Sequence, residues 1–268
     1  METTRSQRWR ERRSRFVDDL EVIDPNAYAV DVIDYPAARA FIAEHHYLPT
    51  YPAAQVAVGL FAARPRPVLA GVAVFAVPST GAVVTAHSGL ATAAQGCVLA
   101  RLLLLDSVPQ NGESFFVARA LRLLRRERPA IEAVVSFSDP SAGHIGRVYA
   151  ALSSAYRGRT AERLVLMAGR RTVSDRTLSK IRGSERGHGG AIDQLVALGL
   201  PPPAVGEEPP AWLARLRRER HLVARRRPGL FTSCFELTRH ARRAGRPLPR
   251  LTYPKILPEV APTLPFET

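Results

Sequence analysis

Apolar residues along this chain fall into two periods. Residues 28–33, 55–63, 68–77, 98–105 and 131–137 are short runs rich in Val, Ile, Leu and Ala, with the length and content of half-buried or buried strands. Residues 36–46 and 112–128 instead space their apolar positions as helices do. In the second, Phe115, Phe116, Leu121 and Leu124 face one way and arginines crowd the other, which predicts an amphipathic helix. Arg64-Pro-Arg-Pro67 separates the second and third runs, most simply as a hairpin turn. Ile145, Val148, Tyr149 and Leu152 stand at i, i+3, i+4 and i+7, predicting a helix over 145–155, and 161–168 reads as a sixth strand. The predicted order β-α-β-β-β-α-β-α-β describes an α+β domain, and the pattern alone fits more than one such sheet.

Beyond Arg171 the pattern changes. A Gly-Ser-Arg loop at 182–190 leads to a short helix over 191–198, and a proline-rich stretch at 201–210 reads as a linker. A basic helix is predicted over 211–227, followed by an irregular end. The chain thus divides into a basic N-terminal arm (1–20), a central domain (21–171) and a basic, mostly helical C-terminal extension (172–268).

Charge sharpens this division. The chain has 268 residues, 46% of them hydrophobic, and a formal charge of +14. Residues 211–255 hold 13 Arg or Lys against Glu219 and Glu236, and residues 1–17 hold six Arg against two Glu. The middle is close to neutral. Arginine forks onto phosphates, and each phosphate neutralised releases counterions; the surplus at the two ends points to a polyanion, nucleic acid, as partner, with Arg217, Arg218, Arg225, Arg226, Arg227 and Lys255 as contacts. A coding bias toward arginine explains the choice of Arg over Lys but not the confinement of the surplus charge to the two ends. No apolar run approaches the roughly 20 residues of a spanning helix, and the Arg-rich start lacks a following apolar segment, so no membrane role and a cytoplasmic location are expected. Cys97 and Cys234 are too few for a disulfide framework and lack metal-ligand spacing; both read as packed thiols.

The segment most able to carry chemistry is Ser136 to Tyr149, SFSDPSAGHIGRVY. It reads as strand, polar turn, helix, with Asp139 leaving the strand just before Pro140 and Gly143 turn the chain. Such junctions are where α/β folds place reactive groups, although Asp-Pro-Ser is also ordinary turn chemistry. Elsewhere, Arg101 interrupts an apolar strand, where a charge is costly unless paired or wet. His45 and His46 end the first helix, where a cationic imidazole suits the C-terminal dipole. Val108-Pro-Gln-Asn-Gly-Glu-Ser114 opens the long helix; Asn111 or Gly112 is a plain helix start there or, with Ser114, part of an anion site.

FSDPSAGHIGRVYAA with Tyr156-Arg-Gly-Arg-Thr160, EHHYLP (Glu44 to Pro49), QNGES (Gln110 to Ser114) and LTYPK (Leu251 to Lys255) together resemble, in order and spacing, the Mom-like DNA-modification proteins of phages and their integrated relatives. The resemblance spans roughly Val30 to Arg170 plus the tail. It implies a fold like the acetyl-CoA-dependent N-acetyltransferases (the GNAT fold), a mixed central sheet flanked by helices, with double-stranded DNA as partner and conversion of its adenine to an N6-carbamoylmethyl (acetamido) form that blocks restriction enzymes. It implies acetyl-CoA as cofactor, with Arg101, Asn111, Gly112 and Ser114 around it, although the loop departs from the usual acetyltransferase pattern of an Arg or Gln and two glycines. It further implies a metal-assisted site of His46, Tyr47, Asp139 and Tyr149, a donor set that suits iron better than zinc. His144 is open to three roles: ligand, base or helix cap. Tyr47, Tyr51, Tyr149 and Tyr156 are candidates for stacking on a flipped base, and Asp139 for the general base. Two other functions fit the same residues: an acetyl-CoA-dependent N-acetyltransferase acting on a small amine or protein, and a non-catalytic DNA-binding protein.

Overall fold

Near-continuous apolar runs belong to strands covered on both faces, and β2 (Ala54–Ala62) and β3 (Val68–Ala76) are such runs. The computed structural model describes residues 21–46, 50–63, 66–169 and 171–256; the predicted N-terminal arm lies outside the described residues. The described residues up to Thr160, with 230–256, form one compact unit, and 161–229 form a second.

In the first unit, β2 and β3 lie within a seven-stranded mixed sheet. Its other strands are β1 (Tyr28–Ile33), β4 (Gly96–Leu104), β5 (Ala133–Ser138), β6 (Ala155–Arg159) and β10 (Phe231–Glu236), in the order β1-β2-β3-β4-β5-β10-β6. Every neighbouring pair is antiparallel except β4 and β5, which are parallel. A parallel pair needs a crossover, and α3 (Gly112–Glu127) supplies it. One face of the sheet, with Val58, Leu60 and Phe75, packs on Phe116, Val117, Leu121 and Leu124 of α3. The other face sets Ala57, Val72 and Val74 against Ala38, Phe41 and Ile42 of α1 (Tyr35–His45). Further along that second face, Val135 and Cys234 meet Val83 of α2 (Ala82–Ser88) and Ala241 of α8 (Arg239–Ala244). Both cysteines are free and buried as expected, and burial pushes each thiol up to about 12.

Three sequence expectations change here. The predicted helix over 145–155 is only α4 (Arg147–Ala151), and the chain re-enters the sheet as β6. The predicted sixth strand forms as β7 (Arg163–Ala168), but in the second unit, and the place beside β5 goes to β10 from the C-terminal segment. That segment therefore supplies a strand to the main sheet besides its helices. The reason is long-range: β10 pairs with β5 from Glu236↔Ala133 to Phe231↔Ser138, a ladder between segments about a hundred positions apart that local pattern does not encode.

The second unit has a three-stranded sheet, β8 (Arg171–Thr172), β7 and β9 (Leu222–Arg227), in the order β8-β7-β9. Three helices, α5 (Asp175–Arg182), α6 (His188–Val196) and α7 (Pro209–Arg218), share a core of Ile181, Leu195, Trp212 and Leu216. The basic helix predicted over 211–227 stops at Arg218; Arg220 takes a positive φ of 60° and the chain turns into β9. The proline-rich stretch is not a loose linker. The Trp212 indole donates to the Pro201 carbonyl at 2.9 Å, and Arg215 grips Glu207 with two hydrogen bonds of 2.8 and 2.9 Å. Among the described residues no helix is long and apolar enough to cross a membrane.

A buried ion pair fastens the first unit's C-terminal segment. Arg157 on β6 and Glu236 on β10 meet at 2.6 Å with side chains 3% and 11% exposed, and Arg157 also donates to the carbonyls of His87, Leu248 and Pro249. Removing one partner leaves the other charge buried, so Glu236→Gln is expected to lower unfolding stability by about 3 kcal/mol, read from denaturant midpoints. In the second unit, Arg215 and a backbone bond hold the Glu207 carboxyl down to about 2. The unfolded chain protonates it below its ordinary 4.5 while the folded chain does not. That contribution is complete above pH 4.5 and is lost as pH falls toward 2. Glu207→Gln is expected to remove this part of the acid sensitivity in a pH series of melting curves.

Candidate functional site

β5 delivers the chain to its polar turn. Asp139 Oδ1 accepts the Ser141 amide at 2.8 Å, capping the short 3-10 turn Pro140–Ala142, and the His144 amide donates to the Asp139 carbonyl at 3.0 Å. Gly143 closes this turn and Gly146 opens α4, both with φ 78°. At Gly146 a side chain would face a strained left-handed backbone, and its Cβ would stand 3.2 Å from Ser138 Oγ. The second glycine of Gly-His-Ile-Gly is thus a steric requirement of bringing α4 close to the end of β5.

Tyr149 is on α4 and is 8% exposed, its ring edge-on to Phe235 of β10 with centroids 5.8 Å apart. Its carbonyl accepts the Ser154 amide at 3.2 Å and the Ser154 hydroxyl at 3.0 Å. The Tyr253 hydroxyl is hydrogen-bonded to Ser154 Oγ and lies 3.1 Å from Ser233 Oγ of β10. The Tyr253 ring lies 5.2 Å from that of Tyr156, which in turn lies 6.1 Å from Phe231. Burial raises the Tyr156 phenol above its ordinary 10, with Arg159 pulling it back. The tyrosines named from sequence therefore divide: Tyr149, Tyr156 and the tail residue Tyr253 gather beneath the Asp139–Gly146 loop, whereas Tyr51 stands edge-on to Tyr35 at 5.0 Å. Tyr47 lies outside the described residues.

The β4–β5 ladder runs from Gly96↔Ala133 to Leu99↔Ser136, after which β4 continues to Leu104 and β5 to Ser138 without pairing to each other. At that last pair the Ser136 hydroxyl is fully buried and, among the described residues, has no hydrogen-bond partner. A buried unsatisfied hydroxyl is uncommon and is one mark of a functional position. The sequence places Ser136 only as the start of its motif and singles out neither Ser154 nor Ser233, because serines in strands and turns carry no local signal.

Other predicted site residues have local duties. His46 ends α1, its amide donating to the Ile42 carbonyl at 3.0 Å. Arg101 donates to the carbonyl of Thr50 at 2.7 Å and to its hydroxyl at 3.1 Å, anchoring the chain that follows α1. At the start of α3, Asn111 is left-handed with φ 64°, the Gly112 amide donates to the Pro109 carbonyl, and the Ser114 hydroxyl donates to the Asn111 carbonyl. The Gln110 amide donates to the Glu21 carbonyl at 2.9 Å. The Gly112 amide, the Ser114 hydroxyl and the Arg101 guanidinium thus each have a partner within the chain. For iron, no three of the described His, Cys, Asp and Glu side chains are grouped to hold a metal, and of the implied set Asp139 is engaged as a turn cap and the Tyr149 side chain is buried against Phe235. Iron and acetyl-CoA stay implications of the resemblance. Of the basic positions, Arg217, Arg218, Arg225, Arg226 and Lys255 are exposed, and Arg227 is half-buried with a bond to Thr172.

No curated protein matches the chain. The family model described as the Mom protein family matches residues 27–192, from the start of β1 into α6 and including the whole Ser136–Tyr149 segment; with more than half of its length matched, the chain belongs to the Mom protein family.

Proposed function

We propose that this protein is a DNA-modifying transferase that acts on the N6 amine of adenine in double-stranded DNA, converting it to the N6-carbamoylmethyl (acetamido) form and so protecting phage-type DNA from restriction in the cytoplasm of its host. The observation that carries the proposal is the family match over the turn that sets Asp139 at the end of β5 and Tyr149 on the helix behind it. The strand order β1-β2-β3-β4-β5-β10-β6, with its single parallel pair parting beyond Leu99 and Ser136, supports an N-acetyltransferase-like reading of the fold.

The chemistry follows from the substrate. The lone pair of the adenine N6 amine is delocalised into the ring, and in a duplex the amine is paired, so the base must be flipped and its amine oriented. Asp139, with one carboxylate oxygen fixed by the Ser141 amide, orients the amine and serves as the base for its proton. The exposed arginines of α7 and β9, with Lys255, supply sequence-independent attraction for the phosphates.

Nucleoside mass spectrometry of plasmid DNA from cells expressing the protein is expected to show a heavier deoxyadenosine. Asp139→Asn retains an acceptor for the Ser141 amide but removes the carboxylate charge; it is expected to lower the modified fraction by about a hundredfold or more without changing DNA affinity. Asp139→Ala is expected to do the same. Unmodified adenine with soluble protein would favour acetyl transfer to another amine, and modification persisting in Asp139→Asn would remove Asp139 from the site. Replacing Arg225, Arg226 and Arg227 with Gln is expected to flatten the slope of log affinity against log salt by about 2 to 3, measured by fluorescence anisotropy on a labelled duplex.

A further inference from the structure

We propose that Tyr253 is a positioning residue for Tyr149, resting for its activity readout on the function proposed above. Helix α4 has five residues, too few to hold its own shape in water, so its placement must come from outside it. Tyr253 reaches both of its ends. Just before the helix, the Tyr253 ring packs with Ile145, the residue preceding Gly146. Past the end of the helix, the Tyr253 hydroxyl bonds Ser154, and Ser154 passes the hold to the Tyr149 carbonyl through its hydroxyl at 3.0 Å and its amide at 3.2 Å. The same phenol is 3.1 Å from Ser233 on β10. Ser233 is the ladder partner of Ser136 on β5, two residues before the strand ends. One hydroxyl therefore ties the helix bearing Tyr149 to the strand pair that ends at Asp139.

The tail is fixed in turn. Leu251 forms an antiparallel bridge with Tyr156, its amide donating to the Tyr156 carbonyl at 3.0 Å, and the Tyr253 ring packs with Ile145, Tyr156 and Phe231. Tyr253 is separated from Ser154 by 99 positions. It lies beyond the segment that the family model matches.

The test is Tyr253→Phe, which keeps the ring and removes the hydroxyl. Amide hydrogen exchange over residues 147–154 is expected to quicken about tenfold, with the global melting midpoint within a few degrees of the unaltered protein. The modified-adenine fraction at equal protein level is expected to fall about tenfold with unchanged duplex affinity. Ser154→Ala, which reads the same bond from its other side and serves if Tyr253→Phe fails to fold, is expected to give the same two changes. The double variant is expected to be no worse than either single one, since both break one chain of bonds. Unchanged exchange over 147–154 in both single variants, or defects that add in the double variant, would overturn the assignment. If the unaltered protein modifies no adenine, the proposed function falls, while the exchange comparison still decides the role of Tyr253.

Discussion

The ladder between β5 and β10 is the constraint on which the rest of the first unit depends. It runs the whole length of both strands, from Glu236↔Ala133 to Phe231↔Ser138. It therefore fixes the point at which Asp139 leaves the sheet. On one face it carries Phe235, against which Tyr149 rests, and Ser233, beside Tyr253. On the other face it carries Glu236, the partner of Arg157. Without β10, β6 would have no neighbour joining it to β5, and the turn between Ser138 and Ala155 would lack its second wall.

Everything added to that frame is short and depends on it. The turn after β5 is a 3-10 segment of three residues capped by Asp139, and α4 has five; neither has the internal hydrogen bonds to be stable alone. Their placement comes from glycine conformation at Gly143 and Gly146, from aromatic contact and from a few serine and tyrosine hydroxyls. Those hydroxyls are nearly all buried: Ser138, Ser154 and Ser233 are at most 5% exposed. In a dry interior each bond is stronger and each unmade bond more costly than in water. Such a network holds geometry tightly, and it sets off the Ser136 hydroxyl, which like that of Thr232 is buried with no partner among the described residues.

Charge is organised differently. Arg157 and Arg215 are held by carboxylates and carbonyls and act as fasteners, while Arg217, Arg218, Arg225 and Arg226 remain exposed. β9 is an outer strand of its sheet, and arginines along an outer strand also discourage pairing with other chains. Composition alone does not separate arginines that build the fold from those at liberty to meet a polyanion; their partners do.

The sequence by itself determined a good deal. The apolar runs of β1 to β5 and the arginine-lined helix α3 were legible because period and burial are local properties. The Asp-Pro turn and the two glycines of Gly-His-Ile-Gly were legible because turn chemistry is local too. The motifs around them carried the family resemblance that the match over residues 27–192 bears out. Tertiary structure decided the remainder. Residues 231–236 enter the main sheet while 163–168 leave it for another, since strand pairing between distant segments depends on which edge is open when the chain closes. The stretch 222–227, predicted as helix, becomes a strand because β7 offers it a ladder after the chain turns at Arg220. Arg101 finds its partner in Thr50, 51 positions away, only when the chain folds. Tyr253, a motif residue without a role in the linear text, acquires one only when folding brings it to Ser154, because a hydrogen bond is decided by position in space and not by order along the chain.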